Sequence, residues 1–229
     1  MKIKTLIAIA GSITATAFAG GSKEVIAPTP PPPPALGGWF IGGTYGQFES
    51  DSNIDDYDGE AGKAIAADKF DFDMYTLHIG RDLGSQVAGF DVAAYLEVGF
   101  LDGSAAVSTE YGLAAVFYGR VDFDAEIVPI TINLKLERPL FGPVNFYLTG
   151  GLGYAFTDLS ASESPGSDYS DSDGGFYAQA SAGLLYNINS QFELYAGGRW
   201  LHLSSLEFGD IPLELDDSFA WEVGARVNF

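Results

Sequence analysis

Apolar and polar residues alternate along much of the chain, most clearly over residues 218–229. One set of alternate positions there is wholly apolar, comprising Phe219, Trp221, Val223, Ala225, Val227 and Phe229. The positions between them are small, polar or charged, which predicts a β-strand with one face in an apolar medium. The length fits a tilted strand that crosses a membrane, which needs about 9–11 residues.

The same alternation predicts seven earlier strands. In chain order, the eight predicted strands are 38–48, 70–82, 90–100, 127–137, 146–156, 176–186, 192–200 and 218–229. Residues 102–126 are predicted to be a loop with strand extensions on both sides. Pro129 cannot donate a ladder hydrogen bond, so it indicates a bulge or a rim position at the start of the fourth strand.

Short and long connections alternate between these strands. The short ones are 83–87, 138–143 and 187–190, and the first is predicted to turn at residues 84–86. The long polar ones are 49–69, 102–126, 157–174 and 204–217. An even number of strands with this alternation is typical of outer-membrane barrels, whose periplasmic turns are short and whose external loops are long.

Charges within the predicted strands share a face with glycines, as Glu97, Lys135 and Arg199 do. Small residues suit the inside of a narrow barrel, and an Arg or Lys at the lipid midplane costs about 2–4 kcal/mol. The apolar face is therefore expected to contact lipid, the reverse of a lipocalin-like soluble barrel. The predicted fold is all-β, an eight-stranded antiparallel up-and-down transmembrane β-barrel over residues 38–229.

The last strand, which ends in Phe229, resembles the terminal strand of bacterial outer-membrane β-barrels. The pattern back to Gly38 resembles the small eight-stranded OmpA/OmpX-like group. This resemblance implies a monomer in a Gram-negative-type outer membrane that contacts outer-membrane lipid and is recognised by the assembly machinery through its C-terminal strand. Such barrels are mostly non-enzymatic and act in envelope integrity, adhesion or surface interaction. We expect the chain to depart from the two-domain OmpA pattern, with no peptidoglycan-binding domain after the barrel.

Residues 1–19 have the features of a secretory signal, with Lys2 and Lys4 before an apolar run and an A-x-A site at Ala17-Phe18-Ala19. They predict Sec-type export and cleavage before Gly20. Residues 20–37 are rich in proline, which favours an extended polyproline conformation and predicts a periplasmic leader.

Composition excludes several classes of function. The formal net charge of −20 would repel nucleic acid phosphates, so no nucleic acid partner is expected. The chain has no cysteine, which rules out disulfides and thiolate metal sites. No cofactor is expected.

Charged residues on the inward face are the first candidate site. Counted from the short turns, Glu97, Arg199 and Glu222 fall at one height, which predicts two carboxylates around one guanidinium. A second layer is predicted nearer the short turns, formed by Lys135, Arg226, Glu193 and Asp91. Buried charges are costly unless paired, and eight strands leave room only for their own side chains. A network that plugs the lumen is therefore favoured over a gated or proton-conducting path.

Two further sets of residues leave alternatives open. His202 with Ser204 or Ser205 and Glu207 has the residue types of a lipid A deacylase-like enzyme on the outer face of the barrel. Carboxylates in the long loops have the ligand chemistry that Ca²⁺ prefers, and the candidates are Asp55, Asp56, Asp58, Asp171 and Asp173. The function expected is a non-catalytic structural or adhesin-like role through acidic external loops and an unidentified surface ligand. A lipid-modifying enzyme and a small pore are the alternatives.

Overall fold

The computed structural model describes residues 38–53, 69–111, 117–164, 167–204, 206–208, 211–215 and 217–229. The proposed signal sequence, 1–19, and the Pro-rich leader, 20–37, lie outside these ranges and stay predictions. Within the described ranges, no helix is long and apolar enough to cross a membrane.

The described chain forms ten β-strands. In chain order they are β1 (Trp39–Asn53), β2 (Lys69–Val87), β3 (Phe90–Tyr111), β4 (Phe117–Phe141), β5 (Val144–Ser164), β6 (Ser167–Asn187), β7 (Phe192–Leu203), β8 (Leu206–Phe208), β9 (Ile211–Leu215) and β10 (Ser218–Asn228). Each of the eight strands predicted from the alternating pattern corresponds to one of the longer strands.

Eight of these strands close into a ring in the order β1–β2–β3–β4–β5–β6–β7–β10, with every neighbouring pair antiparallel. The ring closes where β1 pairs with β10, from Phe40↔Asn228 to Gln47↔Trp221. Closure leaves no unpaired sheet edge along this seam. The predicted eight-stranded antiparallel barrel is confirmed.

The short strands β8 and β9 continue the hairpin formed by β7 and β10. Ser218 pairs with Leu201 in the β7–β10 hairpin. Five residues before Ser218 and five residues after Leu201, Leu213 pairs with Leu206, which is the first pair of β8 and β9, so the register is unchanged. β9 also pairs with β1 through Ser52↔Leu215 and Asn53↔Glu214. Much of the predicted loop 204–217 is therefore an extension of the barrel wall.

Polar residues beyond the apolar belt also form strands, so the predicted loop over 157–174 is wrong. β5 continues to Ser164, β6 begins at Ser167, and pairs such as Leu159↔Asp171 join them. A strand outside the membrane needs no apolar face, so the alternation disappears while the backbone ladder continues. The extensions predicted on both sides of 102–126 are present, because β3 runs to Tyr111 and β4 starts at Phe117.

One turn prediction is also corrected. The predicted turn at residues 84–86 is a register shift within β2, and the hairpin turns instead at Ala88 and Gly89, both with positive φ. Positive φ at both turn residues matches the twist of the flanking strands. Of the two alternatives predicted for Pro129, the bulge is absent, since the β3–β4 pairing steps from Val98↔Ile130 to Leu101↔Ile127 in one register, and the rim position stays a prediction.

Side chains alternate between the two faces of the wall as predicted. Large apolar residues on the outward face are strongly exposed, for example Leu77 at 71% and Ile132 at 68%. Polar and charged side chains are buried on the inward face, among them Glu97, Lys135 and Arg199. A protein that exposes so much apolar surface is suited to hydrocarbon, where the outward face costs nothing to expose.

Candidate functional site

Arg199 is the centre of an ion-pair cluster inside the barrel. Its Nη1 donates to Glu97 Oε1 at 2.5 Å, and its Nε donates to Glu222 Oε2 at 2.7 Å. All three residues are at most 3% exposed. β3 and β7 lie opposite each other in the ring, so the contact between Arg199 and Glu97 spans the lumen. The structure thus brings together the three residues that residue counting placed at one height.

Neutral side chains complete the hydrogen bonds of this cluster. Gln179 donates to Glu97 Oε1 at 2.8 Å and accepts from Arg199 Nη1 at 2.9 Å. Tyr147 donates to Glu222 Oε1 at 2.8 Å, and Thr76 donates to Glu97 Oε2 at 3.2 Å. Glu97, Gln179, Arg199 and Glu222 together are called the upper cluster below. Each buried charge has opposite charges or donors around it, as burial requires.

A second cluster lies nearer the short turns. Arg226 Nε donates to Glu193 Oε2 at 2.5 Å, and its Nη2 donates to Glu137 Oε2 at 3.4 Å. Lys135 Nζ lies 3.0 Å from the same Glu137 oxygen. The four residues Lys135, Glu137, Glu193 and Arg226 are called the lower cluster. Two cations and two carboxylates share this layer, so its charges balance.

Residue counting missed part of both clusters. Asp91, predicted in the second layer, instead accepts a hydrogen bond from Gln86 at 2.8 Å, and Glu137 takes the predicted place. Gln179 was not proposed as a site residue, although its inward position near Arg199 in the strand pattern was visible. The partner of a neutral side chain is hard to predict from sequence, because a neutral polar group can be buried without a charged residue beside it.

Side chains fill the lumen above and within the two clusters. A cavity of about 30 Å³ separates them and has room for one or two waters. At the end away from the short turns, buried apolar side chains close the barrel. These residues, called the apolar plug, are Phe70, Phe72, Met74, Leu101, Ala105, Ala125, Ile127, Ala155, Tyr177, Leu201 and Ala220. An apolar segment on the inward face was not predicted from the sequence.

His202 lies on the outward face and pairs with Asp217. The distance from Nδ1 to Oδ1 is 2.6 Å, and the His202 ring stacks on Trp200 with centroids 5.9 Å apart. Both members of the pair are exposed, with side-chain exposures of 41% and 53%. Ser205 lies outside the described ranges, and the contact with Asp217 shows an acidic partner different from the predicted Glu207.

The candidate cation-binding residues divide into two groups. Asp55, Asp56 and Asp58 lie outside the described residues. The backbone of Asp171 pairs with Leu159, and Asp173 pairs with Thr157 on the neighbouring strand. Among the described residues, no group of three or more histidine and carboxylate side chains is arranged to hold a metal ion.

Sequence comparison supplies the family. Residues 5–229 match the family described as outer membrane protein beta-barrel domain. The chain belongs to this outer-membrane β-barrel family. An outer-membrane β-barrel has its short turns in the periplasm and its long hairpins outside the cell. The lower cluster is therefore on the periplasmic side, and the apolar plug is on the external side.

The chain is also similar to solved structures. Neisserial surface protein A is 12% identical, with 83% of this chain and 97% of that chain covered and a TM-score of 0.50. The outer membrane protease OmpT from Escherichia coli is 8% identical, with 84% and 96% covered and a TM-score of 0.52. OprG from Pseudomonas aeruginosa is 15% identical over 86% and 98%, with a TM-score of 0.49. At these identities the similarity shows the fold alone. The comparison with curated protein sequences gives no match.

Outward-facing charges bound the part of this outer-membrane barrel that lies in lipid. On β4, the exposed residues Ile130, Ile132 and Leu134 lie between Glu126 and Arg138. The span from Glu126 to Arg138 is about 40 Å at about 3.4 Å per residue. A strand tilt of about 40° reduces this to about 30 Å along the membrane normal, which matches the thickness of the hydrocarbon core.

Proposed function

We propose that this outer-membrane protein is a non-catalytic barrel with a closed lumen that acts by surface interaction through its external strands. Two features support this proposal. One is the filling of the lumen, and the other is the extension of four neighbouring strands beyond the membrane. Export by a Sec-type signal, recognition of β10 by the assembly machinery and a monomeric state belong to the same proposal.

The closed lumen is supported by three layers of side chains along the barrel axis. The lower cluster, the upper cluster and the apolar plug follow one another from the periplasmic side outward. A hydrated ion would have to displace paired charges and then cross a buried apolar layer. Both steps are costly, because unpaired buried charges and ions in apolar surroundings are strongly disfavoured.

Surface interaction is supported by the uneven height of the barrel wall. On β3, the outward residue Asp102 follows the apolar Phe100, and the strand continues to Tyr111, about 30 Å farther at about 3.4 Å per residue. β4, β5 and β6 extend with it, whereas β7 ends at Leu203 and its continuation β8 ends at Phe208. A paired four-stranded sheet beyond the membrane offers backbone and side-chain groups to a partner.

Conductance measurement tests the closed lumen. Purified protein inserted into planar bilayers is expected to show no stable channel. The protein is delivered by fusing proteoliposomes with the bilayer, and insertion is checked by protease protection of those proteoliposomes, so that a silent bilayer is not mistaken for a closed pore. A steady conductance of porin size contradicts the closed lumen.

Hairpin trimming tests surface interaction. Residues 106–122 and 160–171 are replaced by short turns, separately and together, in protein held in nanodiscs. Wild type and variants are screened against purified matrix proteins and glycans. We expect binding by wild type and its loss on trimming one hairpin, with heat-modifiable gel mobility retained. Absence of any wild-type ligand, or binding that survives both trims, contradicts this role.

The pair of His202 and Asp217 supports one alternative, a lipid-modifying enzyme, and names the residues with which it can be tested. A histidine oriented by a carboxylate is an element of nucleophilic catalysis, and Ser204 is close in sequence. Lipid A from cells that express wild type, His202→Ala or Ser204→Ala is compared by mass spectrometry. We expect three identical acylation profiles. A wild-type change that disappears in His202→Ala contradicts the non-catalytic role.

A further inference from the structure

A depression of about 850 Å³ lies on the lipid-facing wall where β1 and β10 close the barrel. Gly43 and Ala225, which pair across this seam, are at its centre and carry no side chain larger than a methyl group. Larger residues flank them, because Gly43 also pairs with Leu77 and Ala225 also pairs with Leu194. The volume is in the range of small-molecule binding sites, about 300–1,000 Å³.

The depression lies in the hydrocarbon part of the wall. Its other outward-facing residues are Tyr45, Tyr75, Val98, Phe100 and Val223. Val98 pairs with Ile130 of β4, which is two residues from Ile132 at the middle of the lipid-facing span. An occupant at this depth is surrounded by acyl chains, so the surface that it presents has to be apolar.

Two carboxylates lie at the external end of the depression. On β2, Asp73 is two residues beyond Tyr75 in the external direction, about 7 Å at about 3.4 Å per residue. On β3, Asp102 lies at the same spacing beyond Phe100. Asp73 and Asp102 pair across β2 and β3, and both face outward. Like charges directly opposite each other destabilise a pair of strands, so this position favours a cationic partner.

Asp73 is bonded by neutral donors. Its Oδ1 accepts hydrogen bonds from Tyr45 Oη at 2.9 Å and from Gln47 Nε2 at 2.8 Å. Lys69, the basic residue of β2 on this side, is four residues beyond Asp73, about 14 Å along the strand. These contacts fix the orientation of the carboxylate and leave the negative charge of the pair Asp73↔Asp102 uncompensated.

We propose that this depression binds an acyl chain of an external-leaflet lipid whose ammonium headgroup is held by Asp73 and Asp102. The chain takes the place of the side chains that Gly43 and Ala225 lack, and it makes the dispersion contacts that a void would forfeit. A primary ammonium group has three N–H donors, so it can bond both carboxylates with charge-assisted hydrogen bonds. The proposal does not depend on the surface-interaction role, since every residue in it is on the lipid-facing wall.

Quenching of Trp221 by brominated lipid tests this site. Trp221 pairs with Gln47, which pairs with Asp73, so the reporter is in the same row as the carboxylates. Trp39→Phe with Trp200→Phe leaves Trp221 as the only tryptophan of the chain. The protein is placed in phosphatidylcholine vesicles that contain phosphatidylethanolamine or phosphatidylcholine with the same brominated chains. We expect about a three- to five-fold preference for phosphatidylethanolamine, the factor for one ion pair at an interface.

Charge variants test the headgroup contact. Asp73→Asn with Asp102→Asn keeps an oxygen acceptor at both positions but removes both charges, and it is expected to abolish the preference. Asp124→Asn with Asp158→Asn removes two other outward carboxylates and is the matched control, expected to keep the preference. Gel mobility before and after heating verifies that every variant is folded.

Size variants test the acyl-chain contact. Ala225→Leu places a larger side chain at the centre of the depression and is expected to abolish the preference. Ala182→Leu makes the same change on the outward face of β6 and is expected to keep it. Leu152→Trp, in a chain without other tryptophans, reports the wall of β5 and is expected to show equal quenching by the two lipids.

Three outcomes overturn the proposal. One is equal quenching of Trp221 by the two brominated lipids. Another is a preference that persists in folded Asp73→Asn with Asp102→Asn, or that Leu152→Trp also shows, which would assign it to the vesicle. The third is weaker quenching of Trp221 than of Leu152→Trp by both lipids, which would assign the depression to a second copy of the chain. A preference that survives Ala225→Leu overturns the acyl-chain half alone.

Discussion

Glu97 and Arg199 lie on opposite strands of the ring, and their side chains meet inside it at 2.5 Å. The guanidinium also binds Glu222 of the neighbouring strand β10, so one cation connects three strands. Such a contact is possible only because an eight-stranded barrel is narrow enough for one side chain to reach the far wall. The ion pair between Arg199 and Glu97 therefore fixes the distance between the two opposite strands.

Loss of the central cation is expected to be the most damaging single change in the lumen. Arg199→Ala leaves Glu97 and Glu222 buried without their cation, and removing one partner of a buried pair typically costs about 3–5 kcal/mol. The free energy of unfolding, measured by denaturant titration in lipid vesicles, is expected to fall by this amount. Arg138→Ala removes an exposed arginine that lies over the Phe90 ring and is the matched control, expected to change stability by about 1 kcal/mol or less. Equal stabilities for the two variants would contradict the network.

Replacing one carboxylate of the upper cluster is expected to cost less than replacing its cation. In Glu97→Gln, Arg199 keeps its bond to Glu222, and the new amide oxygen still accepts a hydrogen bond. The same titration should place Glu97→Gln between wild type and Arg199→Ala. A loss as large as that of Arg199→Ala would mean that Glu222 does not compensate the guanidinium.

Two glycines of β5 provide a matched pair for steric control. A Cβ at Gly153 would clash with the backbone oxygen of Ile130, whereas a Cβ at Gly150 would meet no atom within 4 Å. Gly153→Ala forces the wall to move and is expected to cost about 1–3 kcal/mol. Gly150→Ala is expected to be neutral or slightly stabilising, because it restricts the unfolded chain. Denaturant midpoints compare the two variants, and similar losses would contradict the inward and outward assignment of β5.

The lipid-facing surface is tested by one substitution at two depths of β4. Ile132 lies midway between Glu126 and Arg138, and all three point outward. Ile132→Arg places a charge at the bilayer midplane, where the cost is about 2–4 kcal/mol, whereas Glu126→Arg lies at the interface, where it is about 0–1 kcal/mol. Folding yield into vesicles, read as the heat-modifiable band, is expected to fall for Ile132→Arg only. Comparable yields would place the hydrocarbon boundary elsewhere.

The exposed pair of His202 and Asp217 is expected to contribute little to stability. Exposed ion pairs are typically worth about 0–1 kcal/mol, and water can replace either partner here. Asp217→Asn should therefore shift the free energy of unfolding by less than about 1 kcal/mol, in contrast to Arg199→Ala. A larger loss would show that this pair holds the junction between β7 and β8.

The alternating pattern predicts the membrane-spanning wall because every second residue there contacts lipid and must be apolar. Val98, Ile132 and Val223 had to be apolar, so their strands were visible from sequence. Beyond the membrane this constraint disappears. The strands that join Ser160 to Ser170 are held by backbone bonds that any polar sequence can make, and a polar loop was predicted in their place.

Inside the barrel, charge was the informative signal. Glu97, Arg199 and Glu222 cannot be buried alone, so equal heights were enough to predict their contact. Asp91 was placed wrongly because it lies near the turn, where Gln86 and water are available. The apolar plug was missed because the inward face was identified by its charges and small residues, and Phe72, although in phase with the inward Thr76 and His78, is large and apolar.

The separation between the two ionic clusters and the external hairpins makes this barrel suitable as a carrier for foreign peptides. Both clusters lie within the membrane-spanning wall, whereas Tyr111 and Phe117 are about 30 Å beyond the rim at about 3.4 Å per residue. A peptide inserted between these two residues leaves the ionic contacts unchanged, and the entropy of closing a longer loop rises only slowly with length. Its two ends would be held by paired strands, so the insert would be displayed at the cell surface on a rigid stalk.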